Sequence, residues 1–332
     1  MHNEFDLVAR HFYRPTPQTR LGPGDDGALL CPAPGMELAV TSDMLVCGVH
    51  FLPDADPGNL GWKTLAVNLS DLAAMGAKAR WALLAMSLPA ADEDWLAAFS
   101  EGFYACARTF GVDLVGGDTT RGALSLCVTA LGEVPAGEAL CRDRAQAGDD
   151  LWLSGHPGLA ALGLRHLQGE IVLPEPLCRL CLHRLHAPAP RLALGERLRL
   201  IAHAAIDISD GLMADAGHIA ERSGLTAEIF LHRLPRLPQG VEQAVAREAL
   251  LCGGDDYELA FTASPRQRPA LARIAAQLDI PLWRVGQMRA DAATPSARLL
   301  DSEGKIVPLV KQGYDHFHAP FSGASPFSLA KE

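Results

Sequence analysis

Between Pro57 and Gly76 the sequence leaves the backbone little choice. Asp56 and Pro57 supply a helix start, Gly76 supplies a stop, and nothing between them breaks a helix. Trp62, Leu65, Ala66, Leu69, Leu72 and Ala73 recur at helical spacing and predict one core-facing side. Asn68 and Asp71 stand three apart, so they project together from a neighbouring face. No Lys or Arg lies four residues from Asp71, so its charge must be met by solvent, by a cap or by a ligand.

Asp71 is not isolated. Five other stretches set Asp beside Gly, Ser or Thr: Gly24-Asp-Asp26, Thr41-Ser-Asp43, Gly116-Gly-Asp-Thr-Thr120, Asp207-Ile-Ser-Asp210 and Gly253-Gly-Asp-Asp256. Six such islands match the oxygen-rich lining of a metal and phosphate site.

The net charge of −10 disfavours holding nucleic acid by its backbone, and an anion would be bound through cations instead. The N-terminus shows no basic and apolar leader, and no run of eighteen apolar residues would span a membrane. The eight cysteines lack framework spacing, which suits reduced thiols in a cytoplasm. Cys178, Cys181, His183 and His186 are spaced suggestively for zinc, but no finger loop separates the pairs. Leu177, Leu180, Leu182 and Leu185 read there as an ordinary apolar helix face.

At 332 residues two domains are expected, with the junction in the polar stretch 137–150. The first half reads as a helix over 5–13, a strand over 37–41 ending at Ser42-Asp43, and the helix already described. A strand over 81–88 follows, then a helix capped by Asp92 and stopped by Gly111. Tyr104 falls off that helix's apolar stripe. A strand over 112–115 opens into Gly116-Gly-Asp-Thr-Thr120, and another runs over 124–134. In the second half strands are expected at 151–154, 204–208 and 282–285, and another after Cys252-Gly-Gly-Asp-Asp256. Helices are expected between 158 and 200, after Leu212, and over 241–251 and 266–278. A hairpin is expected at 301–304, and a loose tail after Pro320. Strands alternate with helices and the islands sit at strand ends, where α/β ligand sites form.

There is no P-loop, no protein-kinase set and no dinucleotide fingerprint. Clustered carboxylates would repel a bare polyphosphate but attract one together with Mg²⁺, so the residues point to an enzyme acting on a magnesium nucleotide.

In this order and spacing the islands resemble the thiamine-monophosphate kinase family over nearly the whole chain. The resemblance rests on Gly24-Asp-Asp-Gly-Ala-Leu-Leu30, Thr41-Ser-Asp-Met-Leu-Val-Cys-Gly-Val-His-Phe-Leu-Pro53 and Lys63-Thr-Leu-Ala-Val-Asn-Leu-Ser-Asp-Leu-Ala-Ala-Met-Gly-Ala77. With these go Gly116-Gly-Asp-Thr-Thr-Arg-Gly122, Ala205-Ile-Asp-Ile-Ser-Asp-Gly-Leu212 and Gly253-Gly-Asp-Asp-Tyr-Glu-Leu259.

It implies an α/β (α+β) chain with the two-domain PurM-like fold of aminoimidazole-ribonucleotide synthetase. Residues 1–145 would form an ATP- and Mg²⁺-binding, dimerising domain whose sheet pairs with that of a second copy into a barrel. Residues 146–332 would form an α/β domain completing the site. It also implies a homodimer that transfers the γ-phosphate of ATP directly onto thiamine monophosphate. By position, Asp26, Thr41, Ser42, Asp43, Asp71, Asp118, Asp207 and Asp210 would hold Mg²⁺, with Asp43, Asp71, Asp118 and Asp210 central to catalysis. Tyr104, Gly117, Asp118, Arg142 and Ser209 would contact ATP, and His50, Asp255 and Tyr314 the thiamine substrate. From the residues alone His50 reads as structural.

One departure is that Asp255 stands where the family commonly has Glu, and Gly27 stands where Cys is frequent. The rivals are an ATP-using relative with another acceptor and a non-catalytic nucleotide or metal sensor. Among the former, selenophosphate synthetase is disfavoured by the lack of its glycine-rich segment with reactive Cys and Lys. The hydrogenase-maturation relative is disfavoured by the lack of a terminal Cys.

Overall fold

The computed structural model describes residues 4–290 and 295–309. Its first half comprises α1 (Glu4–Phe12), β1 (Met36–Val46), α2 (Pro57–Ala74), β2 (Lys78–Leu88), α3 (Glu93–Phe110), β3 (Asp113–Arg121) and β4 (Ser125–Pro135). The strands form one sheet in the order β1-β4-β2-β3. β4 runs antiparallel to both neighbours, while β2 and β3 are parallel and joined through α3, as a parallel pair requires.

The second half comprises β5 (Asp150–Ser154), α4 (Leu159–Leu167), α5 (Leu177–His186), α6 (Leu192–Leu198), β6 (Ala204–Asp207) and α7 (Leu212–Ser223). It continues with β7 (Thr226–Phe230), α8 (Gln243–Cys252), β8 (Leu259–Ala263), α9 (Arg268–Leu278), β9 (Leu282–Arg289) and β10 (Ser296–Leu300). Its mixed sheet has the order β10-β7-β9-β5-β8-β6. The first sheet ends at Pro135 and the second begins at Asp150, on either side of the polar stretch.

The α2 helix starts as its sequence dictates: the Asp56 carboxylate accepts the Asn59 amide at 2.8 Å. The expectation of a single buried side is corrected, because Leu60, Lys63, Thr64, Val67, Asn68 and Ser70 are buried as well as Leu65, Ala66, Leu69, Leu72 and Ala73 of the predicted stripe. The reason is position. α2 packs against α3 and the first sheet on one side and against α5, α6 and β6 of the second half on the other. A helix enclosed by two layers is buried all round, and its polar side chains must find internal partners.

Other expectations needed smaller correction. β1 does not end at Ser42-Asp43 but runs straight through to Val46, and β3 runs through the Gly116-Gly-Asp-Thr-Thr island instead of opening into a loop. β7 and β10 went unpredicted, and β9 is four residues longer than its apolar run. In α5 it is Cys178, Cys181 and Leu185 that face the core, while Leu180 is exposed. The turn at Asp301 closes as expected, with Leu300 bridging Ile306. Tyr314 and the tail after Pro320 lie outside the described residues.

One face of the first sheet carries α2 and the core; the other shows Met36, Leu38, Val40, Met44 and Leu83 exposed. Alternation along β1 puts Met36, Leu38, Val40 and Met44 on this face, with Ser42 between the last two.

Candidate active site

The aspartate islands converge where α2 meets both halves. A cavity of about 340 Å³ is lined by Asp43 from β1, Asp71 from α2, Asp207 from the end of β6, and Ser209 and Asp210 from the loop before α7. Gly254, Asp255 and Tyr257 line it from the loop before β8. It adjoins a second cavity of about 280 Å³ with an apolar wall of Phe51, Leu52, Leu60, Leu167 and Leu185, into which Lys63, Asn59 and His186 project. Val49, His50, Leu164 and Asp255 line both and form the neck between them.

Local bonding explains why these chains meet. The Asn68 side-chain carbonyl accepts the Asp43 amide at 2.9 Å, and its amide donates to the Thr64 carbonyl at 3.2 Å, so α2 grips β1 at the residue that enters the cavity. The Thr41 hydroxyl donates to the Asp71 carboxylate. Asp215, on the first turn of α7, accepts the backbone amides of Ser209, Asp210 and Gly211 at 3.1, 3.1 and 3.0 Å and sets the shape of that loop. The Asp255 amide donates to the Ser209 carbonyl at 3.0 Å. At Gly254 a Cβ would lie 2.2 Å from the same carbonyl, so only glycine lets the two loops close on each other.

Crowding raises the pKa of these carboxyl groups. Burial, then the charge of Asp71, pushes Asp43 up to about 6. Burial raises Asp71 as well, against the lowering effects of the Thr41 hydroxyl and the Arg142 charge. Asp207 is raised well above the carboxylate range by burial and then by Asp71. Burial, then Asp210, lifts Asp215 to about 7. Asp43, Asp71 and Asp207, which resist ionising together, form a donor set that a divalent cation would relieve. Among the described residues no three His, Cys, Asp or Glu side chains enclose an ion by themselves, at the aspartates or at the α5 thiols.

The other candidates are placed variously. The Nδ1 of His50 accepts the Val46 amide at 3.0 Å, which puts the proton of its neutral ring on Nε2. Ser42 points to the opposite face of β1 from Thr41 and Asp43, its hydroxyl donating to the Val128 carbonyl at 3.2 Å. Asp26 is exposed in the turn-rich segment before β1 and outside the cavity lining. Arg142 is exposed in a short 3₁₀ turn, its carbonyl accepting the Ser223 hydroxyl at 2.8 Å. Tyr104 is buried, not off the apolar stripe as its spacing suggested. Its hydroxyl donates to the Phe12 carbonyl at 2.5 Å, and the ring borders a separate cleft beside Arg14 and Arg108.

Gly117 packs so closely on β2 that a Cβ would lie 1.8 Å from the Leu84 carbonyl, which is a packing reason for that glycine. In register, Asp43 faces Val128, Val128 faces Leu84, and Leu84 faces Gly117. Asp118 therefore stands three strands from Asp43, roughly 14 Å at about 4.8 Å per strand. Sequence reasoning missed Lys63, whose ammonium lies 3.0 Å from Asp255, and Asp215, whose only signal was an Asp on the first turn of a helix.

Residues 24–134 match the family model of the AIR synthase related protein, N-terminal domain. The thiamine-monophosphate kinase of Salmonella typhimurium is 44% identical over 325 residues, covering 96% of this chain and 99% of that one. The chain belongs to the thiamine-monophosphate kinase family. The crystal structure of the Stenotrophomonas maltophilia family member aligns with a TM-score of 0.81 and 48% identity, covering 88% of this chain and 93% of that one. AaThiL, solved in complex with AMPPCP and TMP, aligns with a TM-score of 0.75 and 28% identity, covering 94% of this chain and 96% of that one. Family membership places the aspartate cavity within an architecture that has been solved with an ATP analogue and TMP bound.

Proposed function

We propose that this chain transfers the γ-phosphoryl group of ATP to the phosphate of thiamine monophosphate, yielding thiamine diphosphate and ADP. The observation that carries this reading is the pairing of two cavities through one neck. One is lined by aspartates suited to magnesium and phosphates, and the other has an apolar wall suited to a ring system. The names of the relatives support the choice of acceptor.

Asp43, Asp71, Asp207 and Asp210, with the Thr41 hydroxyl beside them, would hold Mg²⁺, completed by phosphate oxygens. Bound there, the ions supply the positive charge that lets two phosphates approach each other. Ser209 and Arg142 border the nucleotide, while His50 and Asp255 meet the acceptor at the neck. An oxygen of the acceptor phosphate attacks the γ-phosphorus in line and ADP leaves. That oxygen is already ionised near neutral pH, so the reaction needs no protein base. The role of the chain is to align the two phosphates and exclude water.

The exposed apolar face of the first sheet supports a homodimer in which two sheets close into a barrel. Pairing the edge strand β1 of one copy with β3 of another would bring Gly117 and Asp118 beside Ser42 and Asp43. That would supply the ligands that one copy holds roughly 14 Å away.

The test is product analysis of the purified protein with ATP, Mg²⁺ and either thiamine monophosphate or thiamine. Thiamine diphosphate with equimolar ADP, from the monophosphate alone and with metal only, supports the proposal. ATP consumption without thiamine diphosphate assigns another acceptor, and neither ATP consumption nor binding favours a sensor.

A further inference from the structure

Asp255 stands at the neck with its carboxylate held from two sides. Lys63 Nζ lies 3.0 Å from Oδ2, and the Tyr257 hydroxyl donates to Oδ1 at 2.9 Å. The Lys63 side chain is 6% exposed and that of Asp255 30%, so the ammonium is enclosed while the carboxylate still opens onto both cavities. Burial and the charge of Asp255 hold the Tyr257 phenol protonated, so toward Asp255 it acts as a donor.

The backbone is also constrained here. Asp255 and Tyr257 have φ of 67° and 52°, a conformation that residues with a Cβ rarely hold unless their surroundings impose it. A buried ion pair formed only to neutralise Lys63 would require neither the strained backbone nor the second donor. Both make sense if the carboxylate must be aimed.

We propose that Lys63 and Tyr257 are positioning residues that hold Asp255 at one angle in the neck, so that Asp255 binds the acceptor. The acceptor's cationic ring and amino group are the partners such a carboxylate would take. This inference rests on the phosphoryl-transfer reading above and adds to it how the acceptor contact is built.

The experiment is a double-mutant cycle on Lys63→Met and Asp255→Asn, read as KM for each substrate and as acceptor Kd by calorimetry. Lys63→Met should raise the acceptor KM about 10- to 30-fold and leave the ATP KM within about twofold, with Lys63→Arg recovering part of the loss. In the Asp255→Asn background the Lys63 change should cost little more, because Lys63 acts through Asp255. Tyr257→Phe should show a smaller rise of about threefold, and it keeps the test open if Lys63→Met folds poorly.

Losses that multiply in the double variant, or a matching rise in the ATP KM, would overturn the inference. A wild-type protein that makes no thiamine diphosphate would overturn the phosphoryl-transfer reading instead. The calorimetric cycle would still report on Lys63 without turnover.

Discussion

Asp43→Asn should make the metal-free protein more stable while removing its activity. In the folded chain burial and the neighbouring Asp71 raise Asp43 from 3.8 to about 6. A shift of about two units corresponds to about 3 kcal/mol. Because the folded value lies above the unfolded one, the native state is favoured while the group is protonated. That advantage is lost as pH rises from about 4 through 6. At pH 8 the wild type carries the whole penalty, at pH 5 about half of it, and the neutral asparagine escapes it at both.

For a chain of 332 residues an unfolding entropy near 0.7 kcal/mol/K converts 3 kcal/mol into roughly 4 °C of melting temperature. The assay is thermal unfolding in chelator at pH 5 and pH 8. The variant should melt higher, with the gap widening toward pH 8. Added Mg²⁺ should then raise the wild type more than the variant, since the variant has lost one of the carboxylates whose repulsion the ion would relieve. Equal melting temperatures at pH 8, or a variant less stable at both pH values, would refute the reasoning.

Three further outcomes are expected. Asp71→Asn should lower turnover more than a thousandfold with an unchanged circular dichroism spectrum; activity near wild type would remove Asp71 from the mechanism. Asn68→Ala leaves the part-buried Asp43 amide without its side-chain acceptor and should destabilise by about 1–3 kcal/mol in urea unfolding, with kcat reduced at least tenfold as Asp43 is held less firmly against α2. Val40→Lys places a charge on the exposed apolar sheet face and should shift the proposed dimer to monomer in light scattering, with activity falling in parallel; an unchanged mass would count against pairing through this sheet.

How much of this was legible in the sequence depended on whether the information was local. Asp56 and Gly76 bound α2 because caps act within a turn, and Asp92 and Gly111 bound α3 for the same reason. The islands were legible as a set because six of them recur along one chain, although each alone is ordinary turn chemistry. Facing was harder. Ser42 sits between Thr41 and Asp43 and so points the other way, a fact hidden until β1 is known to run straight through all three.

Partners far apart in the chain were also invisible. Nothing near Lys63 announces Asp255, and nothing near Tyr104 announces the Phe12 carbonyl that takes its hydroxyl. β7 escaped notice because Thr-Ala-Glu-Ile-Phe is short, and its identity as a strand comes from β9 and β10 on either side of it.

Lys63, Val67 and Asp71 follow one another at intervals of four along α2, with the neck contact at one end and the aspartate cavity at the other. Eight residues of helix measure about 12 Å. The helix therefore acts as a ruler cast into the core, and packing on every side prevents it from bending to suit a different length. An acceptor that docks its ring correctly but carries its phosphate one methylene too far would still bind. Its phosphate would arrive out of line with the γ-phosphorus, so the error should appear in kcat and not in KM. On this view the enzyme selects its substrate by span as well as by shape.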